Sequence, residues 1–217
     1  MNAANVDAAM RQALRGRLLL EHPFYRRWEA GALEPGELGR YAEQYRHAEA
    51  MLPGFLRAVA GLLPPGAPRR LVEANLADEE GDPVAHLDLF EGFASAAGAG
   101  TDEPASPATA ALVASYAALA EEGPVPALAG LAAYEVQASD VAASKAEGLR
   151  RHYGFGAGAT RFWDHHERVE RRHALWTTAA LASLGASPAA VRAPARRVAD
   201  AWWSFLDERE AAAPAPA

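Results

Sequence analysis

His166, Glu170 and His173 are spaced four and three residues apart. On an α-helix this spacing puts all three side chains on one stripe. The rest of the stripe is apolar or small, with Ala159, Phe162 and Trp163 before the three and Thr177 and Ala180 after them. Two imidazoles and a carboxylate turned toward a core are costly to bury unless they bind something. Neutral His and ionised Glu are both ready ligands for a hard or borderline cation. The spacing therefore predicts one wall of a metal site.

One helix supplies one side of such a site, so other segments must contribute. Glu135 stands among Leu128, Leu131, Ala132, Ala138 and Ala142 on the apolar face of its own segment. A lone carboxylate in that position reads as a ligand, with an ordinary buried, hydrogen-bonded Glu as the alternative. The stretch from Asn75 to His86 offers several acids and one His. Glu79 and His86 would share a face if a helix ran through both, although Gly81 and Pro83 stand between them. An acidic loop with a surface His is the competing reading there.

Glu79, His86, Glu135, His166, Glu170 and His173 together make a mixed Glu/His set. Helical bundles hold pairs of iron or manganese ions with such sets. Six donors exceed what one structural ion needs, so two ions are the more economical reading, with an open position for O₂. Ferritin-like bundles carry a Glu-x-x-His motif on each of two helices. Glu170–His173 is one such motif and the chain has no other, so the scaffold must be a different one.

The elements that would position these residues are helices. Half the 217 residues are hydrophobic, alanine is abundant, and no segment sustains the alternation of a strand. The patterns predict helices at about 4–20, 23–31, 36–62, 67–96, 106–122, 125–152, 158–185 and 188–212, an all-α bundle of seven or eight helices. Pro23, Pro35-Gly36, Leu63-Pro64-Pro65-Gly66, Gly123-Pro124 and Gly185-Ala186-Ser187-Pro188 punctuate them. Gly81-Asp82-Pro83 should kink or break the fourth, because proline cannot donate to the preceding turn. A single domain over 1–212 with a disordered tail over 213–217 is the expected organisation.

Composition narrows the function. The chain has no cysteine, which removes disulfides, thiolate metal sites, iron–sulfur clusters and cysteine nucleophiles. A net charge of −7 argues against nucleic acid or an acidic membrane surface as the main partner. No apolar run reaches the length of a membrane span and the first residues lack a signal-peptide core, so a cytoplasmic location is expected. A homodimer is compatible with the sequence.

The motifs resemble those of diiron oxidases with the heme-oxygenase-like fold. In that family the last metal helix reads His-x-x-x-Asp-x-x-His, matched here by His166 through His173 with Glu170 in place of the Asp. An earlier Asn-Leu-x-Asp-Glu-x₆-His is matched from Asn75 through Glu79 to His86, and an aromatic-Glu pair by Tyr134-Glu135. Within the family the chain is most similar to the CADD group (Chlamydia protein associating with death domains). The group's Leu-Glu-His-x-Phe-Tyr-x-x-Trp, Gly-x-Leu and Tyr-Ala landmarks resemble Leu20 to Trp28, Gly31 to Leu33 and Tyr41-Ala42. The likeness runs nearly colinearly from about residue 18 to 176, and the helix at 188–212 is only generically alike.

This resemblance implies an O₂-dependent dimetal oxygenase, Fe/Fe or Mn/Fe with an external reductant, that makes 4-aminobenzoate for folate. It further implies that the aromatic ring comes from the protein's own tyrosine, at Tyr25, with a lysine, at Lys145, as amino donor. Lysine is very rare beside arginine in this chain, and only lysine readily loses its proton to become a nitrogen nucleophile. Ten helical residues separate Lys145 from Glu135, about 15 Å of rise and a rotation of roughly 80°, so Lys145 is predicted at the edge of the centre and not as a ligand. A solvated helix lysine, and a Tyr25 that merely packs on Trp28, are the plain alternatives.

Tyr41 and Tyr134 are further oxidisable phenols, and His165 points about 100° away from His166. Glu170 for Asp lengthens one ligand by a methylene, and Phe162-Trp163 replace a frequent Tyr-Phe. Two other functions compete: a diiron oxidase acting on an external amino acid or fatty acid, and a non-enzymatic metal-binding or interaction protein. Thiamin hydrolysis by relatives on this fold uses a cysteine, which is absent, and heme oxygenases use one proximal His, for which His22 is a weak candidate.

Overall fold

The computed structural model describes residues 3–81 and 84–213. Among them the chain forms helices only: α1 (Ala3–Ala13), a 3₁₀ turn (Leu19–Glu21), α2 (Pro23–Glu29), α3 (Pro35–Leu62), α4 (Ala67–Glu80), α5 (His86–Ala96), α6 (Pro107–Glu122), α7 (Pro124–His152), α8 (Ala157–Ser183) and α9 (Pro188–Ala211). The starts follow local chemistry. Prolines occupy the first turns of α2, α3, α4, α6, α7 and α9, where a missing N–H costs nothing. Ser187 caps α9 by accepting from Ala190 N, and Glu34 and Glu37 form a reciprocal capping box on α3.

Two predicted helices are shorter than expected. The helix predicted at 4–20 stops at Ala13, because Gly16 turns the chain through φ 68° before the 3₁₀ turn. The helix predicted at 67–96 is two helices, so the described residues form nine α-helices where seven or eight were expected. Gly81 ends α4 at φ 64°, and a Cβ there would lie 2.0 Å from Val84 O, so only glycine fits. Asp82 and Pro83, the rest of the predicted breaker, lie outside the described residues, as do residues 214–217 of the predicted tail.

Helix α7 runs through the middle and packs on α8, α9, α6 and α3. Small residues let it come close: a Cβ on Gly130 would lie 2.5 Å from Leu119 and 3.0 Å from Val198, and one on Gly148 would lie 2.8 Å from Trp28. The core is continuous and strongly aromatic, with Phe24, Tyr25, Trp28, Tyr41, Phe90, Phe93, Phe162, Trp163 and Phe205 all essentially inaccessible. No helix among the described residues is long and apolar enough to cross a membrane.

Candidate metal centre and tyrosine–lysine cage

Helix α8 buries the stripe that its spacing predicts: Phe162, Trp163, His166, Glu170, His173, Thr177 and Ala180 all face inward. Glu135 is buried on α7 among Leu128, Leu131, Ala132, Ala138 and Ala142. The break at Gly81 decides how Glu79 and His86 meet. Glu79 closes α4, His86 opens α5, and the turn folds them face to face with His86 Nδ1 2.7 Å from Glu79 Oε2. They do not share one helical face as the unbroken helix would have required.

The candidate donors converge. Ligand atoms of Glu79, His86 and His166, with Glu49 from α3, all lie within 4.8 Å of one another. Glu79 also reaches the other way, its Oε1 3.5 Å from His173 Nδ1. Glu170 likewise faces two imidazoles, with Oε1 3.9 Å from His166 Nε2 and Oε2 3.9 Å from His173 Nδ1. Glu135 lies on the same cavity, its Oε1 accepting from Asn75 Nδ2 at 2.7 Å.

The imidazoles are held from outside. His166 Nδ1 donates to Phe162 O at 2.9 Å, His173 Nε2 donates to Asp78 at 3.0 Å, and His86 Nε2 meets His165 Nε2 at 2.9 Å. Each ring therefore has one nitrogen occupied by an outer partner and the other turned into the cluster. Metal-binding histidines are oriented in this way. His165, expected to turn away from His166 and either support the ligands from outside or face solvent, supports His86.

Inside the cluster the polar atoms lack partners. Glu49 Oε1, His86 Nδ1, Glu135 Oε2 and Glu170 Oε2 are buried without a hydrogen bond, although His86 and Glu79 approach closely. Buried polar atoms are normally paired, and unpaired carboxylates are the costliest case. Burial pushes the Glu49, Glu79, Glu135 and Glu170 carboxyls up and the His86, His166 and His173 imidazoles down. Divalent cations reverse the first effect and match the second, since they bind carboxylate and neutral imidazole. The orphaned carboxylate oxygens and the His86 nitrogen fit a divalent cation such as iron.

Tyr25 and Lys145 meet beside this cluster. Both are about 1% exposed. Lys145 is the sole lysine of the chain, and its burial excludes the solvated-lysine reading. Its Nζ donates to Tyr41 Oη at 2.6 Å, and Tyr41 Oη shares a 2.8 Å hydrogen bond with Tyr25 Oη. Four aromatic rings enclose the nitrogen, with the centroids of Trp163 at 4.0 Å, Tyr45 at 4.7 Å, Tyr25 at 4.8 Å and Tyr41 at 5.0 Å. Burial draws the Lys145 amine well below its ordinary range, opposed by the charge of Glu49, and pushes the Tyr25 phenol up. Trp28 does pack edge-on against Tyr25, but its indole also donates to Lys145 O and so ties α2 to α7.

Sequence reasoning missed Glu49. A signal existed: Tyr41, Tyr45 and Glu49 recur every fourth residue on the buried face of α3, the same pattern that singled out Glu135. It also missed Tyr45, which donates or accepts at 2.6 Å with Tyr134 and stacks on Tyr41 at 5.5 Å. His22 is a structural residue. Its Nδ1 accepts from Phe24 N and its Nε2 meets Asp207, so neither nitrogen is free for a heme.

The chain is similar to proteins of known name along most of its length. A family model described as iron-containing redox enzyme matches residues 39–203. A 4-aminobenzoate synthase of Nitrosomonas europaea is 35% identical over 212 residues, covering 89% of this chain and 86% of the relative. One from Chlamydia pneumoniae is 32% identical over 198 residues, covering 87% of each. In architecture the chain is similar to a TenA homologue of Pseudomonas syringae pv. tomato (TM-score 0.80, 15% identity, 96% of this chain and 90% of that one). A CADD-like protein of Nostoc punctiforme superposes with a TM-score of 0.78 at 17% identity, covering 97% of this chain and 98% of that one. With its buried Glu/His cluster on a heme-oxygenase-like helical fold, this chain belongs to the family of iron-containing redox enzymes.

Proposed function

We propose that the protein forms 4-aminobenzoate in an O₂-dependent reaction that consumes its own Tyr25, with Lys145 as the source of the amino nitrogen. The curated relatives of this chain named 4-aminobenzoate synthase support the product. The observation that carries the rest is the placement of Lys145 Nζ over the Tyr25 ring at 4.8 Å, sealed from water. The product's substitution fits: 4-aminobenzoate bears a carboxyl and an amino group across the ring, and tyrosine bears Cβ and a hydroxyl in the same relation. Cβ would be oxidised by O₂ to the carboxyl carbon with cleavage of its bond to Cα, and the phenolic oxygen would leave as water. The nitrogen that replaces it would come from oxidative cleavage of the Lys145 Nζ–Cε bond, with the external reductant supplying the balancing electrons.

Glu79, His86, Glu135, His166, Glu170 and His173 would hold two metal ions, iron with iron or manganese. When bound, that pair supplies the oxidising equivalents of O₂ with electrons from an external reductant. The residues of the chain do the rest. Buried and without a carboxylate partner, Lys145 favours a neutral amine, the nucleophilic form. Tyr41 holds both Tyr25 and Lys145 through its hydroxyl. The stacked rings of Tyr45 and Tyr41 join the cavity to Tyr25 and offer one-electron steps between them.

An external amino acid or fatty acid is the competing substrate. The cavity beside the candidate ligands is about 30 Å³, which favours a molecule the size of water or O₂ over such a substrate. Mass spectrometry of the intact chain, before and after Fe(II), Mn(II), reductant and O₂, separates the two. A loss of mass localised to Tyr25, with no more than one 4-aminobenzoate per chain, is expected. Tyr25→Phe should make no 4-aminobenzoate while keeping its iron. An unchanged chain mass with many turnovers, or product from the Phe variant, would remove the self-consuming reading.

A further inference from the structure

Glu49 enters the candidate metal centre from α3, a helix that supplies none of the six donors the motifs imply. Its carboxylate is buried, and Oε1 has no hydrogen-bond partner. Its one contact at ion-pair distance among the described residues is to His166 Nε2, at 3.9 Å, and that imidazole's other nitrogen is already bound to Phe162 O. The compact group in which every ligand atom lies within 4.8 Å of every other is Glu49, Glu79, His86 and His166. Of the other three candidates, Glu170 approaches the group through His166 Nε2 at 3.9 Å, His173 through Glu79 Oε1 at 3.5 Å, and Glu135 is held by Asn75.

Charge leads to the same residue. Two divalent ions bring four positive charges, and Glu79, Glu135 and Glu170 would answer with three negative ones. A net charge left in a buried site is strongly unfavourable. Glu49 supplies the fourth carboxylate and makes the buried assembly neutral in its divalent state. Pro53 lies one turn further along α3 and lacks the N–H that would bond the Glu49 carbonyl.

We infer that Glu49 is a seventh donor of the dimetal centre, completing one ion's position together with Glu79, His86 and His166. The inference rests on the dimetal reading above and deepens it. It makes the two positions unequal: one is bounded by α3, α4, α5 and α8, the other draws on Glu135, Glu170 and His173. An ion pair bound by four carboxylates and three imidazoles is also harder in character than one bound by three of each, which favours manganese or iron over softer ions.

The test is anaerobic titration of the metal-free protein with Mn(II) or Fe(II), read as ions bound per chain and as the affinity of each, with Mn(II) electron paramagnetic resonance as a second readout. Wild-type protein should bind two ions. Glu49→Gln, which keeps the shape and removes the charge, should lose one of them or weaken it at least about tenfold. Glu49→Asp, which keeps the charge on a shorter arm, should retain both ions with an intermediate affinity. Two ions bound by Glu49→Gln with wild-type affinities would overturn the assignment. If the Gln variant does not fold, judged by helical circular dichroism, the Asp variant decides: a weakened ion supports the assignment and two unchanged affinities overturn it. A wild-type chain binding fewer than two ions would instead overturn the dimetal reading, and the role of Glu49 with it.

Discussion

Around Tyr25 the key polar atoms are paired. The Tyr25 and Tyr41 hydroxyls share a hydrogen bond, and Lys145 Nζ donates to Tyr41. Around His166, on the other side of Tyr45, oxygens of Glu49, Glu135 and Glu170 and a nitrogen of His86 have no partner. Both regions are dry and both carry several ionisable groups, but the unpartnered carboxylate oxygens all lie in the second, while the first leaves only the Trp163 indole N–H without a partner. In the cage the Tyr25, Tyr41 and Lys145 polar atoms are hydrogen-bonded to one another and burial favours the uncharged amine. The cluster leaves carboxylate oxygens and an imidazole nitrogen unpartnered, which a bound cation would satisfy. Chemistry that starts at one and ends at the other needs both: an adaptable charged centre, and a rigid, neutral place for the reacting side chains.

The comparison is broken most severely by His166→Ala. This removes a donor common to the compact group and to Glu170, so metal content should fall by more than about a hundredfold and 4-aminobenzoate should disappear. Elemental analysis of the purified variant decides it, and undiminished iron would show that His166 is not a ligand. Lys145→Met acts on the other region alone. Product should vanish while both ions remain, and the metal-free melting temperature should hold or rise by a few degrees, because an apolar side chain replaces a buried amine. Product formation by this variant would take the amino-donor role away from Lys145.

The smallest effect concerns pH and sharpens the contrast. In metal-free protein burial raises Glu135 to about 7 and Glu79 to about 8, from 4.5. A carboxyl raised in the folded state contributes stability that is present below its unfolded value and lost as pH rises through its folded one. His173, lowered to about 4 from 6.5, works in the opposite sense but only below 6.5. Between pH 6.5 and 8 the Glu49, Glu79, Glu135 and Glu170 carboxyls should all lower the stability of the metal-free protein as pH rises, while the buried Lys145 amine works in the opposite sense with or without metal. Chemical denaturation across this window measures it. With metal bound the carboxylates stay ionised and the decline should vanish; a decline of equal size in both forms would show that these acids do not hold the ions.

Much of the site was legible because helical spacing is local. His166, Glu170 and His173 could be read as one stripe from their intervals, and Glu135 stood out against five apolar neighbours of its own helix. Glu79 and His86 were named correctly as neighbours but for the wrong geometry, since Gly81 ends the helix and a turn brings them together. Glu49 was hidden. Glu43, Gln44, Arg46 and His47 precede it, so it reads as the end of a solvated stretch unless the every-fourth-residue register with Tyr41 and Tyr45 is followed. Lys145 was equally ambiguous between Ser144 and Glu147.

The sequence by itself determined the helices, their caps and breaks, and which faces carry donors, because these depend on residues within a few positions of one another. Only the tertiary structure decided which faces look at each other. The packing of α3 on the far side of the bundle turns Glu49 into the cluster, and α2, with Trp28 lying against Gly148, closes the cage over Lys145. The meaning of a buried charge is set by what stands opposite it in space, and that is settled by the fit of whole helices against one another.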